Sequence, residues 1–261
     1  IALSGRIPPG GSRVNLRTPA GTPVPGVEVV PTDHASMPVE DRAAVLTAVS
    51  DVRPDVIIHV AALTDVDACE KEPDTAYRVN AIGTRHLAEA AMRFGGHLVY
   101  ISTDYVFDGR RPFDAGRSGS YCEWDDPNPL SVYGRSKLAG ERECPTGATI
   151  VRTSWLSGTS GRNFVTVVRG LARGGGPHRF VDDQRGCPTF TADLAAAVST
   201  LAMERLPGTY HVTNQGTATR FDLARAVLSL SGGDPDRVLP ITTAELHPPR
   251  AATRPQNSVL D

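Results

Sequence analysis

The sequence predicts a doubly wound α/β fold: a parallel sheet covered by helices on both faces, followed by a small C-terminal lobe. Three observations carry that reading. Short β-branched runs alternate with longer amphipathic stretches; the runs are short and mainly apolar, as strands buried on both faces are; and the regular alternation loosens after Arg152. Expected strands are Val27 to Val30, Val56 to Val60, His97 to Ile101 and Thr149 to Arg152. Helices fit between them over Val39 to Val49, Thr75 to Phe94 and Ser131 to Glu143. In the second helix Ala76, Val79, Ala81, Leu87, Ala88 and Ala91 form a stripe at mostly three- and four-residue spacing, and Gly95-Gly96 ends it. Beyond Arg152 the sequence predicts a helix from Asn163 to Arg173, a break at Gly174-Gly-Gly176 and a short strand near Phe180. A helix over Ala192 to Met203, a strand over Gly208 to Val212 and a helix over Phe221 to Leu230 follow. The expected division is a core over residues 1–155, atypical in 1–26, and a mixed region over 156–261 that includes the lobe. Residues 105–130 hold too many Gly and Pro for regular structure, and so long a loop in a compact domain is usually functional.

Composition narrows the classes of function. The chain has 261 residues, 40% hydrophobic and 21% charged, with a formal net charge of −2, which disfavours sequence-independent nucleic-acid binding. No run approaches a membrane-spanning length and no basic segment leads into an apolar one, so a soluble, cytoplasmic chain is expected, without a membrane partner. Cys69, Cys122, Cys144 and Cys187 lie far apart, with no C-x-x-C pair and no histidine at ligand spacing. Neither a disulfide framework nor a metal site is expected.

Tyr133 and Lys137 are four residues apart in a helix-compatible stretch, so their side chains share a face. A phenol beside an ammonium is a tunable acid, because the positive charge favours the phenolate. Alone, such a pair is common on helix surfaces. Its context is more telling: the preceding strand runs into Ser102-Thr103-Asp104, and in open α/β sheets ligands bind beyond the carboxyl ends of strands. A hydroxyl at Thr103 can meet the same substrate oxygen that Tyr133 protonates. A second strand end, Val60-Ala-Ala-Leu-Thr-Asp65, offers the small residues Ala61, Ala62 and Thr64 where a cofactor passes close to the backbone, and Asn80 lies on the helix that follows.

At these residues the chain resembles the extended short-chain dehydrogenases, specifically the dTDP-4-dehydrorhamnose reductase family. The resemblance spans roughly residues 27–261 and rests on an ordered series of segments. The first are Ala61-Ala-Leu-Thr-Asp-Val-Asp67, Ser102-Thr-Asp-Tyr-Val-Phe-Asp-Gly109 and Pro127-Asn-Pro-Leu-Ser-Val-Tyr-Gly-Arg-Ser-Lys-Leu-Ala-Gly-Glu141. Arg152-Thr-Ser-Trp155, Gly161-Arg-Asn-Phe164, Val181-Asp-Asp-Gln184 with Cys187-Pro-Thr189, and Arg254-Pro-Gln-Asn-Ser-Val-Leu-Asp261 complete it. It implies a Rossmann-like, dinucleotide-binding core with a substrate-binding lobe, and NADH- or NADPH-dependent reduction of the 4-keto group of a nucleotide-activated 6-deoxyhexose, dTDP-4-dehydro-L-rhamnose first among them. It implies Thr103, Tyr133 and Lys137 as the catalytic set, with Lys137 and Tyr133 also meeting the cofactor beside Ala61, Ala62, Thr64, Asn80 and Ser102. Substrate contacts are implied for Thr103, Asp104, Tyr105, Val106, Trp155, Asn163, Asp183, Gln184 and Arg254, in a monomer or homodimer. Blander readings stay open: Trp155 as a core aromatic, Asp182-Asp183 as a solvated turn, Arg254 as a surface ion pair.

The resemblance departs at the dinucleotide fingerprint. Gly5 and Gly11 keep its outer spacing, but Pro8 stands in the middle position, where its ring removes an N–H and fills space the pyrophosphate needs. Pro19, Pro23 and Pro25 stand where the first helix should run, so no long helix is expected there and weak dinucleotide binding is. Two readings follow: altered or truncated terminal regions, or a diverged member with a rebuilt phosphate contact. Asp33, after the second strand, is expected to take the adenosine ribose hydroxyls and favour NADH, with a helix N-cap as its bland alternative. Two rival functions are a reductase of another deoxysugar nucleotide and a non-catalytic NAD(P)-binding subunit like the regulatory partner of methionine adenosyltransferase.

Overall fold

The structure, a computed structural model, describes residues 2–4, 14–17, 23–111 and 119–261, with side chains from Gly26 onward. Gly5, Pro8, Gly11 and Pro19 lie outside the described residues. The chain begins with strands β1 (Ala2–Ser4), β2 (Val14–Arg17) and β3 (Pro23–Val30), then α1 (Arg42–Val52) and β4 (Val56–His59). Helices α2 (Val66–Lys71), α3 (Pro73–Tyr77) and α4 (Gly83–Phe94) follow, the last two joined by a π-helical turn over Arg78–Ile82. Then come β5 (His97–Thr103), a 3₁₀ turn at Asp104–Val106, α5 (Val132–Glu143) and β6 (Thr149–Thr153). The C-terminal part adds β7 (Leu156–Ser157), α6 (Phe164–Leu171), β8 (His178–Val181), β9 (Arg185–Gly186), β10 (Thr189–Phe190) and α7 (Thr191–Met203). It closes with β11 (Gly208–His211), β12 (Ala218–Thr219), α8 (Arg220–Leu230) and β13 (Val238–Ile241).

Seven strands form the main sheet in the order β11-β6-β5-β4-β1-β3-β2, and β4, β5, β6 and β11 pair in parallel. At the other edge the expected all-parallel arrangement gives way: β1 runs antiparallel to both β3 and β4, and β2 runs antiparallel to β3. Chain length accounts for the β2–β3 pairing, because a parallel crossover needs about a dozen residues or more and only residues 18–22 separate the two strands; it does not account for the reversed direction of β1. Pro23 and Pro25, expected to exclude a helix, lie within β3.

Alternating residues of the strands enter two cores. Ile58 and Val99 face α7 through Leu194, Val198 and Leu201, while Ile57 and Leu98 face α1 and α4 through Val45, Val49, Leu87 and Ala91. The doubly wound pattern read from the sequence is thus present around the parallel strands. A third cluster, Val168, Ala224, Val227, Leu228 and Val238, joins α6, α8 and β13 in a separate lobe. Residues 252–261 lace these parts together. Arg185 donates its N–H to the Gln256 carbonyl, Asn257 Nδ2 donates to the carbonyls of Arg111 and Gly119, and Tyr121 donates its N–H to the Val259 carbonyl.

Helix α5 positions the chemistry and sits unusually deep. Ser131 caps it, its Oγ accepting the Gly134 N–H at 3.1 Å, and Gly140 lies against the Tyr100 hydroxyl and the Asn80 carbonyl with no room for a Cβ. Gly140→Ala should therefore push α5 off β5 and cost about 1–3 kcal/mol, read as a lower unfolding midpoint in denaturant with an unchanged m-value. An unchanged midpoint would show that α5 has slack.

Candidate active site

The carboxyl ends of β4, β5 and β6 open into a cleft of about 1080 Å³. Its wall along β4 shows why residue parity matters. Val60, Ala62, Thr64 and Val66 line the cleft, whereas Ala61 does not and Leu63 turns inward to pack with Cys69, Ala76 and Val132. In extended chain alternate residues face opposite sides, which places Ala62 and Thr64 in the cleft wall and Ala61 out of it. Asn80, fully buried, holds this segment from behind: its Oδ1 accepts the Leu63 N–H at 2.8 Å, and its Nδ2 donates to the Leu63 carbonyl and to Ser136 Oγ on α5. Asn80 stands in the π-helical turn, a local deformation often found at functional sites.

From β5 and the turn after it, Ser102, Thr103, Asp104 and Tyr105 all line the cleft, while Val106 is fully buried with Phe107, Tyr121 and Leu138. Thr103 Oγ1 donates to Asp104 Oδ1 at 3.0 Å. Asp104 is 2% exposed, and its Oδ2 meets no hydrogen-bond partner among the described residues. Burial outweighs the nearby hydroxyls of Ser258 and Thr103 and pushes its carboxyl up to about 6.

Tyr133 and Lys137 reach the same cleft from α5. Lys137 is 2% exposed, donates to the Ile101 carbonyl at 2.7 Å and lies 4.1 Å from the centre of the Tyr100 ring. Burial brings its ammonium down to about 7, opposed chiefly by the negative charge of Glu141. The sequence led us to expect a lysine-depressed phenol at Tyr133. The phenol is instead raised above its ordinary value, because burial outweighs a hydrogen bond with Thr103, and Asp104 and Tyr105 add to the rise. Ser102, expected at the cofactor, spends its hydroxyl on Glu141, 2.5 Å away.

Across the cleft stand Trp155 and a group of arginines. Trp155 takes a left-handed backbone with φ 48°, rare for a bulky side chain. Its indole fills the space a Cβ would need at Gly186, while the Arg220 guanidinium lies 3.6 Å from its ring centre. Trp155 is therefore a cleft-wall aromatic. Arg220, at the start of α8, has no carboxylate within ion-pair distance among the described residues, and burial lowers its pKa, with Arg250 and Arg254 pressing the same way. Arg162, Arg179, Arg220 and Arg250 line the cleft, and sequence reasoning missed all four. The capping box of Thr219 and Asp222 fixes where α8 starts, which is the one sequence signal that could have placed Arg220.

The remaining expected residues divide. Asn163 lines the cleft but uses its side chain to cap α6, with Oδ1 accepting the Thr166 N–H at 3.0 Å. Gln184 lines it and donates to Thr243 Oγ1; Asp183 does not line it, and both its oxygens accept from Thr243. Asp33 lies outside the cleft wall, its Oδ1 accepting the Ser36 N–H and hydroxyl, while Asp41 caps α1. Those bonds to Ser36 hold its carboxyl below the usual value. Arg254 is a cleft residue paired to Asp67 by two bonds of 3.0 and 2.7 Å. All four cysteines are free, no group of His, Cys, Asp or Glu among the described residues is placed to hold a metal ion, and no described helix is long and apolar enough to cross a membrane.

With this geometry in view, the similarities to known proteins are decisive. The family model described as the RmlD substrate binding domain matches residues 20–261. The dTDP-4-dehydrorhamnose reductase of Mycobacterium tuberculosis is 46% identical over 211 residues, 79% of this chain and 68% of its own length. The chain belongs to the dTDP-4-dehydrorhamnose reductase family. The Streptomyces griseus reductase of that name is 42% identical over 90% of this chain and 78% of its own. The solved dTDP-4-dehydrorhamnose reductase of Bacillus anthracis, in complex with NADP, superposes with a TM-score of 0.82 at 41% identity, covering 88% of this chain and 80% of its own.

The Asp67–Arg254 pair gives a pH test of how the family's C-terminal Arg254 segment is anchored. Arg254 holds Asp67 at about 2, below the ordinary carboxylate value of 3.8. A depressed folded-state pKa contributes stability that is complete above about pH 4 and is lost as pH falls towards 2. The unfolding free energy of the parent should thus fall more steeply between pH 5 and 2 than that of Asp67→Asn. Parallel curves would mean that the pair contributes nothing.

Proposed function

We propose that the protein reduces the 4-keto group of a dTDP-activated 6-deoxyhexose, taking dTDP-4-dehydro-L-rhamnose to dTDP-L-rhamnose with NADH or NADPH. One observation carries the reading: a single cleft holds Thr103 from the end of β5 and Tyr133 and Lys137 from α5 together with Arg220, Arg250 and Arg254 from the chain beyond residue 219. The first set suits a carbonyl and the second an anionic diphosphate.

The residues fit a nicotinamide dinucleotide. An ammonium has three N–H donors; Lys137 gives one to the Ile101 carbonyl, leaving others for ribose hydroxyls, and Ala62 and Thr64 keep the β4 wall low. Asp33 would meet the adenosine ribose by exchanging its Ser36 partner, a carboxylate that favours NADH over a 2′-phosphate. When bound, the dinucleotide supplies the hydride that C4 accepts. Tyr133 donates its proton to the oxygen that becomes an alkoxide, and its raised pKa means the phenol is loaded with that proton at neutral pH. Thr103 turns its hydroxyl from Asp104 to the same oxygen, so two donors meet the charge as it forms. Lys137 orients the ribose, and the Trp155 ring packs on the sugar while Arg220 neutralises phosphate.

Tyr133→Phe should lower kcat by about 10²-fold or more with dinucleotide affinity nearly unchanged. Turnover at the parent rate would remove the assignment, and dinucleotide binding without turnover in the parent would favour an idle binding subunit. Arg220→Met keeps the aliphatic stem and loses the charge, so dTDP affinity in calorimetry should fall about 10- to 100-fold, with Tm little changed. Undiminished dTDP binding would take the diphosphate elsewhere.

A further inference from the structure

Behind the cleft lies a buried ion pair that the reduction does not directly use. Glu141 stands one turn after Lys137 on α5, and its partner Arg152 on β6 is equally buried, both side chains 6% exposed. Glu141 Oε1 accepts from Arg152 Nε at 2.9 Å and from Ser102 Oγ, and Oε2 accepts from Arg152 Nη2 at 2.7 Å. Ser102 and Arg152 are register partners on β5 and β6, so the carboxylate spans two adjacent strands. Arg152 is fixed in turn by the Glu123 carbonyl at 3.2 Å and by the Phe107 ring. Three elements converge on one carboxylate that cannot swing away.

We propose that Glu141 is a positioning residue: clamped by Ser102 and Arg152, its fixed charge one helical turn from Lys137 keeps that lysine an ammonium beneath the end of β5. The inference rests on the role given to Lys137 above. A buried lysine tends to lose its proton, and a neutral amine would neither attract a developing phenolate nor bind ribose hydroxyls as strongly. Among the described residues the titratable groups facing Lys137 are Tyr133 and Glu141, one turn to either side on its own helix, Cys144 just past the helix end, His59 on β4 and Tyr100 on β5, and burial keeps the Tyr133 phenol protonated. Burial keeps His59 neutral and pushes the Tyr100 phenol and the Cys144 thiol up, Cys144 to about 12. Glu141 is thus the one anion among them. Arg152 moderates its field and prevents collapse onto Lys137, which leaves the ammonium N–H groups for the cleft.

Lys71 and Lys137 are the chain's two lysines, and Lys71 is exposed, so the test can read one group directly. In ligand-free protein with ¹³Cε-labelled lysine, NMR titration gives two resonances, with Lys71 as internal reference. Glu141→Gln should move the Lys137 midpoint down by about one pH unit, which corresponds to about tenfold in the protonation equilibrium, and leave Lys71 in place. Glu141→Asp, which keeps the charge, should move it less, although both variants lose Tm; it also carries the test if Glu141→Gln does not fold. A purely structural role predicts lower Tm in both with the Lys137 midpoint unmoved, and that result overturns the proposal. NADH and NADPH affinities at pH 8, by calorimetry, test the reading beneath it. A shifted Lys137 resonance with unchanged dinucleotide affinity would sustain the Glu141 coupling and sink the ribose role of Lys137.

Discussion

A buried ammonium is the constraint around which this molecule's central helix is built. Removing Lys137 from water costs several kcal/mol unless partners replace its hydration, and those found are the Ile101 carbonyl, the face of Tyr100 and the charge of Glu141. The first two require α5 to lie close on β5. The close approach explains why Gly140 has no space for a side chain, why the Tyr100 hydroxyl donates to the Lys137 carbonyl, and why Asn80 reaches from the π-helical turn to Ser136. Tyr133 then needs no separate device to reach Thr103, because its helix is already seated.

The sequence was most legible where backbone periodicity and side-chain chemistry coincide. The helix stripe from Ala76 to Ala91 and the Tyr133–Lys137 spacing both depend only on local geometry, and the helices appear within a few residues of their expected ends. The one internal surprise, the π-helical turn around Asn80, leaves no trace in such a pattern because it arises from what Asn80 bonds across the fold. Parity misled at Ala61, since the chain stays extended past β4 and alternate residues turn away from the cleft. Asp183 carries a motif resemblance, yet in the structure its carboxylate is spent on Thr243, a partner sixty residues on that no spacing rule connects. Arg220 was invisible for the same reason: its lack of a counter-ion among the described residues is set by tertiary structure and leaves no mark on local sequence.

The arginines of the cleft are held in different ways. Arg254 is already satisfied by Asp67 and is anchored by it, whereas Arg220 stacks on Trp155 with no carboxylate at hand. The stacked cation is held without being neutralised by any described carboxylate. The buried Asp104 carboxylate acts on Arg220 through its charge without pairing with it, and so tempers that positive field.

The lacing by residues 252–261 has a consequence for synthesis. These residues are made after every element they join: helix α2 with Asp67, the segment around Tyr121 and strand β9 at Arg185. On a ribosome the parallel sheet and α5 can form first, but the cleft cannot close its walls until this stretch has cleared the exit tunnel. A nascent chain therefore carries Arg220, Trp155 and the lobe's apolar surface unsecured until residues 252–261 have emerged. Until then that apolar surface is open to other chains and to chaperones.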